Sequence, residues 1–362
     1  MSDIRITNVT ARAVLAPFAI TPKSASGSLD HAAMVLIDIE TSEGIVGHSY
    51  LFAFGKNMLK PLVESINALS PKVIGDVLAP LSIESKLRSG LRLMDTPGLI
   101  GLALCGLDMA FWDAHCKKLG QPLSRVLGSA RNSVPAYNSC GLWIRDVESL
   151  ADEAEHLLAA SDFKAVKLRL GRTQAKDDLQ AVRNVRKRIG EDVHLMVDFN
   201  QSQSVRSAID RSQMLDNEGL YWIEEPVRHA DYQGTAAIRQ AIRTPIQTGE
   251  NLNSSFELKL ALDASAADYY MPDVQRIGGV SGWLRASALC HASDVEMSSH
   301  LFPEFSVHLL AASPTCHWLE YVDWAKPLLQ EPLEVKNGQA LVPDRLGAGI
   351  SWDEDYIKRY LV

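Results

Sequence analysis

The sequence predicts an α/β protein in which a closed parallel β/α barrel follows an α+β domain. Three observations carry that prediction. Short apolar or β-prone runs alternate with helical patterning from residue 131 to residue 321. Three of these runs lead into an acid at equal intervals: Asp198, Glu224 and Glu250, 26 residues apart each time. A strand, a crossover helix and two short loops need about that length. Residues 1–130 show a different texture, with strands first and helices after them.

In chain order, residues 4–16 alternate as a strand does, and residues 33–53 read as a hairpin turned at Glu43-Gly44. Between them, Thr21 to Ser28 is a polar loop of small residues. Leu99 to Leu119 carries an apolar helical face through Leu102, Leu107, Ala110, Phe111 and Ala114, and Gly120 with Pro122 ends it. Barrel strands are expected at 134–138, 165–169, 194–198, 221–224, 246–249, 268–271, 295–298 and 317–320. Helices fit between them, for example at 147–160, 176–189 and 282–291, with a short last crossover at 303–313. Beyond residue 322 the alternation stops, and residues 322–362 are expected to pack back on the first domain.

Composition narrows the function. A net charge of −8 argues against nucleic acid or an anionic membrane as partner. The apolar runs read as too short and interrupted to span a bilayer. The N-terminus lacks the apolar core of a signal peptide. Five scattered cysteines without a CxxC pair read as reduced thiols, so a cytoplasmic protein is expected.

Parallel strands of a barrel end on the side where chemistry sits. Asp198, Glu224 and Glu250 would therefore converge, and converging carboxylates need a cation to stay ionised. An all-oxygen set without Cys or an HExxH pair favours Mg²⁺ over Zn²⁺. The other strand ends are polar as well: Ser139, the pair Lys167 and Arg169 on one side of their strand, Asp273, His300 and Glu320. Glu225 must point away from Glu224 and is expected in a structural ion pair. His291, His308 and His317 are read as structural.

The ordered set Val197-Asp198-Phe199-Asn200-Gln201, Trp222-Ile223-Glu224-Glu225-Pro226, Met271-Pro272-Asp273 and Met297-Ser298-Ser299-His300-Leu301 resembles the mandelate racemase subgroup of the enolase superfamily. Gly106 to Asp113 looks like that family too, and the resemblance runs over nearly the whole chain. It implies an N-terminal α+β capping domain (residues 1–130) over a modified TIM barrel, (β/α)₇β (residues 131–321). The implied chemistry is Mg²⁺-dependent removal of the proton α to a carboxylate through a metal-stabilised enediolate. By resemblance Asp198, Glu224 and Glu250 hold the metal, and His300 is the base oriented by Asp273. Lys167 binds the substrate carboxylate, Glu320 donates a hydrogen bond to it, protonated or sharing a proton, and Ser139 and Asn200 orient the substrate. Family members commonly form homo-oligomers, often octamers.

One departure bears on the reaction. Mandelate racemase carries Lys-x-Lys on strand two, where this chain has Lys167-Leu168-Arg169. A guanidinium, with a pKa above about 12, releases a proton far less readily than a lysine tuned downward. Racemisation needs bases on both faces of the α-carbon, whereas dehydration of a sugar acid can run on His300 alone. The capping loop supplies Pro22, Lys23, Ser26 and Leu29, with Phe54 on the next loop. Lys23, Ser26 and Phe54 are taken as substrate-binding, in a pocket suited to a hydroxylated or doubly charged acid. The expected reaction is dehydration of a sugar acid to a 2-keto-3-deoxy acid. The alternatives are a 2-hydroxy-acid racemase or epimerase, and a non-catalytic binding protein of the same fold.

Overall fold

The computed structural model describes residues 3–94 and 96–362. Strand β1 (Ile6–Pro17) leads into a small hairpin of β2 (Lys23–Ser24) and β3 (Gly27–Ser28), then β4 (His31–Thr41) and β5 (Val46–Phe52). The long strands form an antiparallel sheet in the order β1-β4-β5. Helices α1 (Lys56–Leu69), α2 (Pro80–Gly90), α3 (Leu99–Lys118) and α4 (Leu123–Val126) follow.

Helix α3 packs on that sheet. Gly106 sits where a Cβ would lie only 2.5 Å from Ile37 Cδ1, so glycine allows the close approach. By length and composition α3 could cross a membrane, contrary to the reading of the apolar runs, but most of that apolar window is buried inside the protein. It is a core helix.

The second half opens with β6 (Ser133–Asn138), α5 (Leu150–Ala159), β7 (Ala165–Arg169), α6 (Ala175–Ile189) and β8 (His194–Asp198). It continues with α7 (Val205–Leu215), β9 (Leu220–Glu224), α8 (Tyr232–Ala241), β10 (Ile246–Thr248) and α9 (Ser255–Asp263). Next come β11 (Tyr269–Tyr270), α10 (Gly279–Ala292), α11 (Pro303–Ala312) and β12 (Leu319–Tyr321). Strands β6 to β11 are parallel neighbours in sequence order, and β12 pairs with β6. Buried apolar residues such as Val166, Leu168, Val197 and Ile223 fill these strands. Each contributes about 1.5–3 kcal/mol by leaving water.

The seventh strand differs from expectation. Between Tyr270 and Cys316 the chain makes only isolated bridges, at Met297, and Asp273 pairs singly with His300. Those bridges carry the sheet around to β12 and close the barrel. They also place His300 directly beside Asp273.

The tail divides between two tasks. Hairpin β13 (Val335–Lys336) and β14 (Gln339–Leu341) lies along the barrel, because β14 pairs antiparallel with β6. The first sheet is reached by Trp324, whose ring lies 5.0 Å from that of Phe52, and by α12 (Glu354–Tyr360) and its surroundings, through an Arg12–Glu354 ion pair, a Val14–Leu361 bridge and Trp352 Nε1 donating to Asp38.

Candidate active site and metal centre

Strand register brings the three acids together. Asp198 is opposite Glu224 in the β8–β9 ladder, and Glu224 is opposite Gln247 in the next. Gly249 then adopts φ 131°, where a Cβ would meet the Met271 backbone nitrogen at 2.9 Å. Only glycine allows the strand end to turn Glu250 inward there. One carboxylate oxygen from each of Asp198, Glu224 and Glu250 lies within 4.8 Å of the others.

Backbone strain surrounds the same rim. Asn200, Gln201, Glu225, Leu301 and Phe302 all have positive φ, just past the ends of three strands.

The fit to a divalent cation follows from the donor set. Burial raises Glu224 to about 8 despite the neighbouring Lys167, and burial likewise raises Glu250 against the pull of His300. Acids that would hold protons this tightly form a site for a hard cation, which replaces those protons.

Lys167 lies wholly buried among acids, with Nζ 2.5 Å from Glu224 Oε1, 2.8 Å from Glu320 Oε1 and 3.8 Å from Asp198 Oδ2. Burial works against its charge, but Glu224 and Glu320 outweigh it and hold the ammonium well above its usual value. Glu320 accepts from Lys167, from Ser139 Oγ at 2.7 Å and from Leu301 N at 2.9 Å. Burial favours its neutral form, yet Lys167, His300 and Arg169 keep it well below the usual carboxylate range. Glu320 is therefore an acceptor toward these three donors.

His300 Nδ1 is 2.8 Å from Asp273 Oδ2, and its Nε2 is 3.4 Å from Glu250 Oε2. Asp273 accepts, so Nδ1 carries the proton and Nε2 of the neutral ring keeps its lone pair. Burial opposes protonation, but Glu250, Glu320 and Asp273 raise His300 to about 10; a cation held by Glu250 would cancel part of that pull and free Nε2 to act as a base.

Arg169 is held very differently. Its Nη1 donates to the carbonyls of Gly141 at 2.9 Å, Ser139 at 3.2 Å and Lys167 at 3.3 Å. Its Nη2 donates to Ser139 Oγ at 2.7 Å, and the guanidinium lies 3.9 Å from the centre of the Trp143 ring.

A cavity of about 430 Å³ opens above these groups. Among the sequence-expected residues, Lys167, Arg169, Asp198, Asn200, Glu250, His300, Glu320, Ser26 and Phe54 line it. Asn200 Nδ2 donates to Asp198 Oδ2 at 2.8 Å, and Ser26 Oγ donates to the Asn200 carbonyl. Ser139 is buried below the floor, braced between Glu320 and Arg169. Lys23 is not brought in. It is exposed on the other side of its hairpin, in a depression with Ile144 and Arg145. Glu225 makes no ion pair among the described residues, and its carboxylate accepts from Asn251 Nδ2 at 2.8 Å.

Sequence reasoning missed Trp143, Trp324, Gln201, Asn251 and Arg276, all on the cavity wall. Each lies within a few residues of a strand end, which is the signal that could have found them.

A triad of acids, two buried and one half-buried, with a histidine–aspartate pair on one side and two cations on the other, defines a metal-dependent barrel enzyme. Residues 149–356 match the enolase C-terminal domain-like family. Residues 4–128 match the N-terminal domain of the mandelate racemase/muconate lactonizing enzyme family. The chain belongs to this family, whose enzymes depend on Mg²⁺.

A solved enolase from alpha proteobacterium BAL199 with bound Mg is 40% identical, with a TM-score of 0.97, covering 99% of this chain and 100% of that one. A Bradyrhizobium enolase complexed with magnesium and mandelic acid is 37% identical, with a TM-score of 0.96 over 100% and 99% of the two chains. The L-talarate/galactarate dehydratase of Salmonella typhimurium LT2 is 30% identical over 90% of this chain and 82% of that protein.

Proposed function

We propose that this protein dehydrates a sugar acid or other polyhydroxy acid to its 2-keto-3-deoxy product. The observation that carries the proposal is the asymmetry of the floor. One side holds His300, fixed at Nδ1 with Nε2 toward the cavity, and the other holds Arg169, bound to three carbonyls and a hydroxyl.

Asp198, Glu224 and Glu250 would hold Mg²⁺, with Lys167 beside them to receive the substrate carboxylate. When bound, Mg²⁺ supplies positive charge against the charge that grows on that carboxylate. His300 Nε2 takes the α-proton, while Asp273 fixes the ring through Nδ1 and stabilises the imidazolium. The Cβ–O bond then breaks, and the hydroxyl leaves as water with the proton carried by His300. The resulting enol becomes the 2-keto acid by protonation at Cβ. Arg169 and Lys167 supply fixed positive charge beside the carboxylate. Ser139 acts from behind, by holding Arg169 and Glu320.

Incubation with Mg²⁺ and a panel of aldonic and aldaric acids, assayed for 2-keto product, tests this reading. Keto product from a member of the panel is expected, and its absence throughout would refute dehydration. A second reading, racemisation of a 2-hydroxy acid, is favoured by the aromatic wall of Phe54, Trp143 and Trp324 and by the mandelic acid in the Bradyrhizobium relative. Deuterium entering both enantiomers without keto product would establish it.

We assign residues 1–130 to a capping unit, 131–321 to the catalytic barrel and 322–362 to a tail that clips onto both, on the contacts of β14 and α12. A cytoplasmic setting is supported by five free thiols. A homo-oligomer, with the octamer as first expectation, is supported by exposed Phe256 and Leu260 one turn apart on α9.

A further inference from the structure

Among the cations that line the cavity, Arg276 stands apart. Lys167 is bound to acids, and Arg169 to carbonyls and Ser139. Arg276 sits one turn beyond Asp273, with its backbone nitrogen bonded to the Asp273 carbonyl. Its guanidinium lies 4.9 Å from the centre of the Phe54 ring. Among the described residues its side chain has no hydrogen-bond acceptor and no ion pair, and its Nε is buried without a partner.

A guanidinium carries five N–H donors in a fork that matches a carboxylate. Stacking on a phenyl ring uses its face and satisfies none of those donors. Beside it, burial pushes His229 below its usual value; Glu257 opposes this, and Arg276 and Arg228 add to it.

We propose that Arg276 binds a second anionic group of the substrate, so that the preferred substrate is a dicarboxylic (aldaric) acid. The inference rests on the proposed reading insofar as the first carboxylate sits at Lys167 and the metal triad. Arg276 lies on the barrel side of the mouth, just after β11, and Phe54 comes from the loop that follows β5. The substrate chain would thus be held at both ends, with its carbon–hydrogen faces against Trp143 and Trp324. Arg276 then does what Lys23 was expected to do from the sequence, at the opposite side of the capping loop.

The test is equilibrium binding of matched six-carbon aldaric and aldonic acids to the Mg²⁺-loaded His300→Asn protein, alone and with Arg276→Ala or Arg276→Lys. The expected result is aldarate binding about 10- to 100-fold tighter than aldonate. Arg276→Ala should erase the difference by weakening aldarate alone, Arg276→Lys should restore part of it, and the melting temperature should hold. Aldonate bound as tightly as aldarate, equal loss of both in Arg276→Ala, or no aldarate binding would overturn the inference. Keto-product formation by the unmodified enzyme is scored separately. A diacid preference without keto product would sink dehydration and leave the role of Arg276 standing.

Discussion

The two sides of the pocket floor hold positively charged groups of unequal freedom. On one side, His300 is fixed at Nδ1 by Asp273 but keeps Nε2 toward the cavity. On the other, Arg169 is bound to three carbonyls, to Ser139 Oγ and to the face of Trp143. A group that must exchange protons needs a titrating nitrogen open to the cavity. A group that must hold charge in place does not. The floor is therefore built for a base on one face of the substrate and a fixed cation on the other.

The largest effect should come from the active face. His300→Asn is expected to lower kcat by about 10³–10⁴-fold, with circular dichroism and melting temperature unchanged. A loss below tenfold would mean that another group takes the proton. Glu224→Gln comes next. It removes one of the three acids and one partner of Lys167, so Mg²⁺ affinity by calorimetry should fall about 10–100-fold. Chelation should abolish turnover in the unmodified enzyme and return it when Mg²⁺ is added back.

Arg169→Lys changes the fixed face. It exchanges the carbonyl-bound fork for an ammonium that can release a proton. We expect dehydration to fall about tenfold and solvent exchange on the second face to rise from background. If exchange does not rise, the position of the pocket wall, and not the residue at 169, sets the reaction.

The smallest effect concerns histidines that are buried but outside the pocket. Acids raise His300 to about 10, whereas burial lowers His308 and His317 to about 4. For the latter two the folded state binds fewer protons than the unfolded state between pH 4 and 6.5. Acidification through that window therefore costs stability, on the order of 2–3 kcal/mol for each fully buried ring. Denaturation midpoints followed from pH 7 to 4 should fall, and His308→Phe should flatten the fall.

Sequence legibility was greatest where side-chain direction is dictated by a regular strand. In β7, β8 and β9 the apolar alternation points Lys167, Arg169, Asp198 and Glu224 to the barrel mouth, and the expected ends coincide with the observed ones. It failed where direction depends on loop geometry. Lys23 and Ser26 lie in one hairpin, and only Ser26 reaches the cavity. Trp143, Trp324 and Arg276 follow strand ends, where no period tells which way a side chain turns. The charge of Glu320 is not legible for a different reason: it depends on Lys167, His300 and Arg169 all meeting it in space. The strand expected at 295–298 is reduced to single bridges at Met297, because pairing on either side is too short to form a ladder.

The most direct test of the one-base floor uses mandelic acid, which has no β-hydroxyl to lose. Each enantiomer would be incubated with the Mg²⁺-loaded enzyme in D₂O and followed by NMR and chiral chromatography. One enantiomer should take up deuterium at the α-carbon with its configuration kept, and the other should remain unlabelled. Deuterium in both, with conversion of one into the other, would make Arg169 a working base and contradict the account.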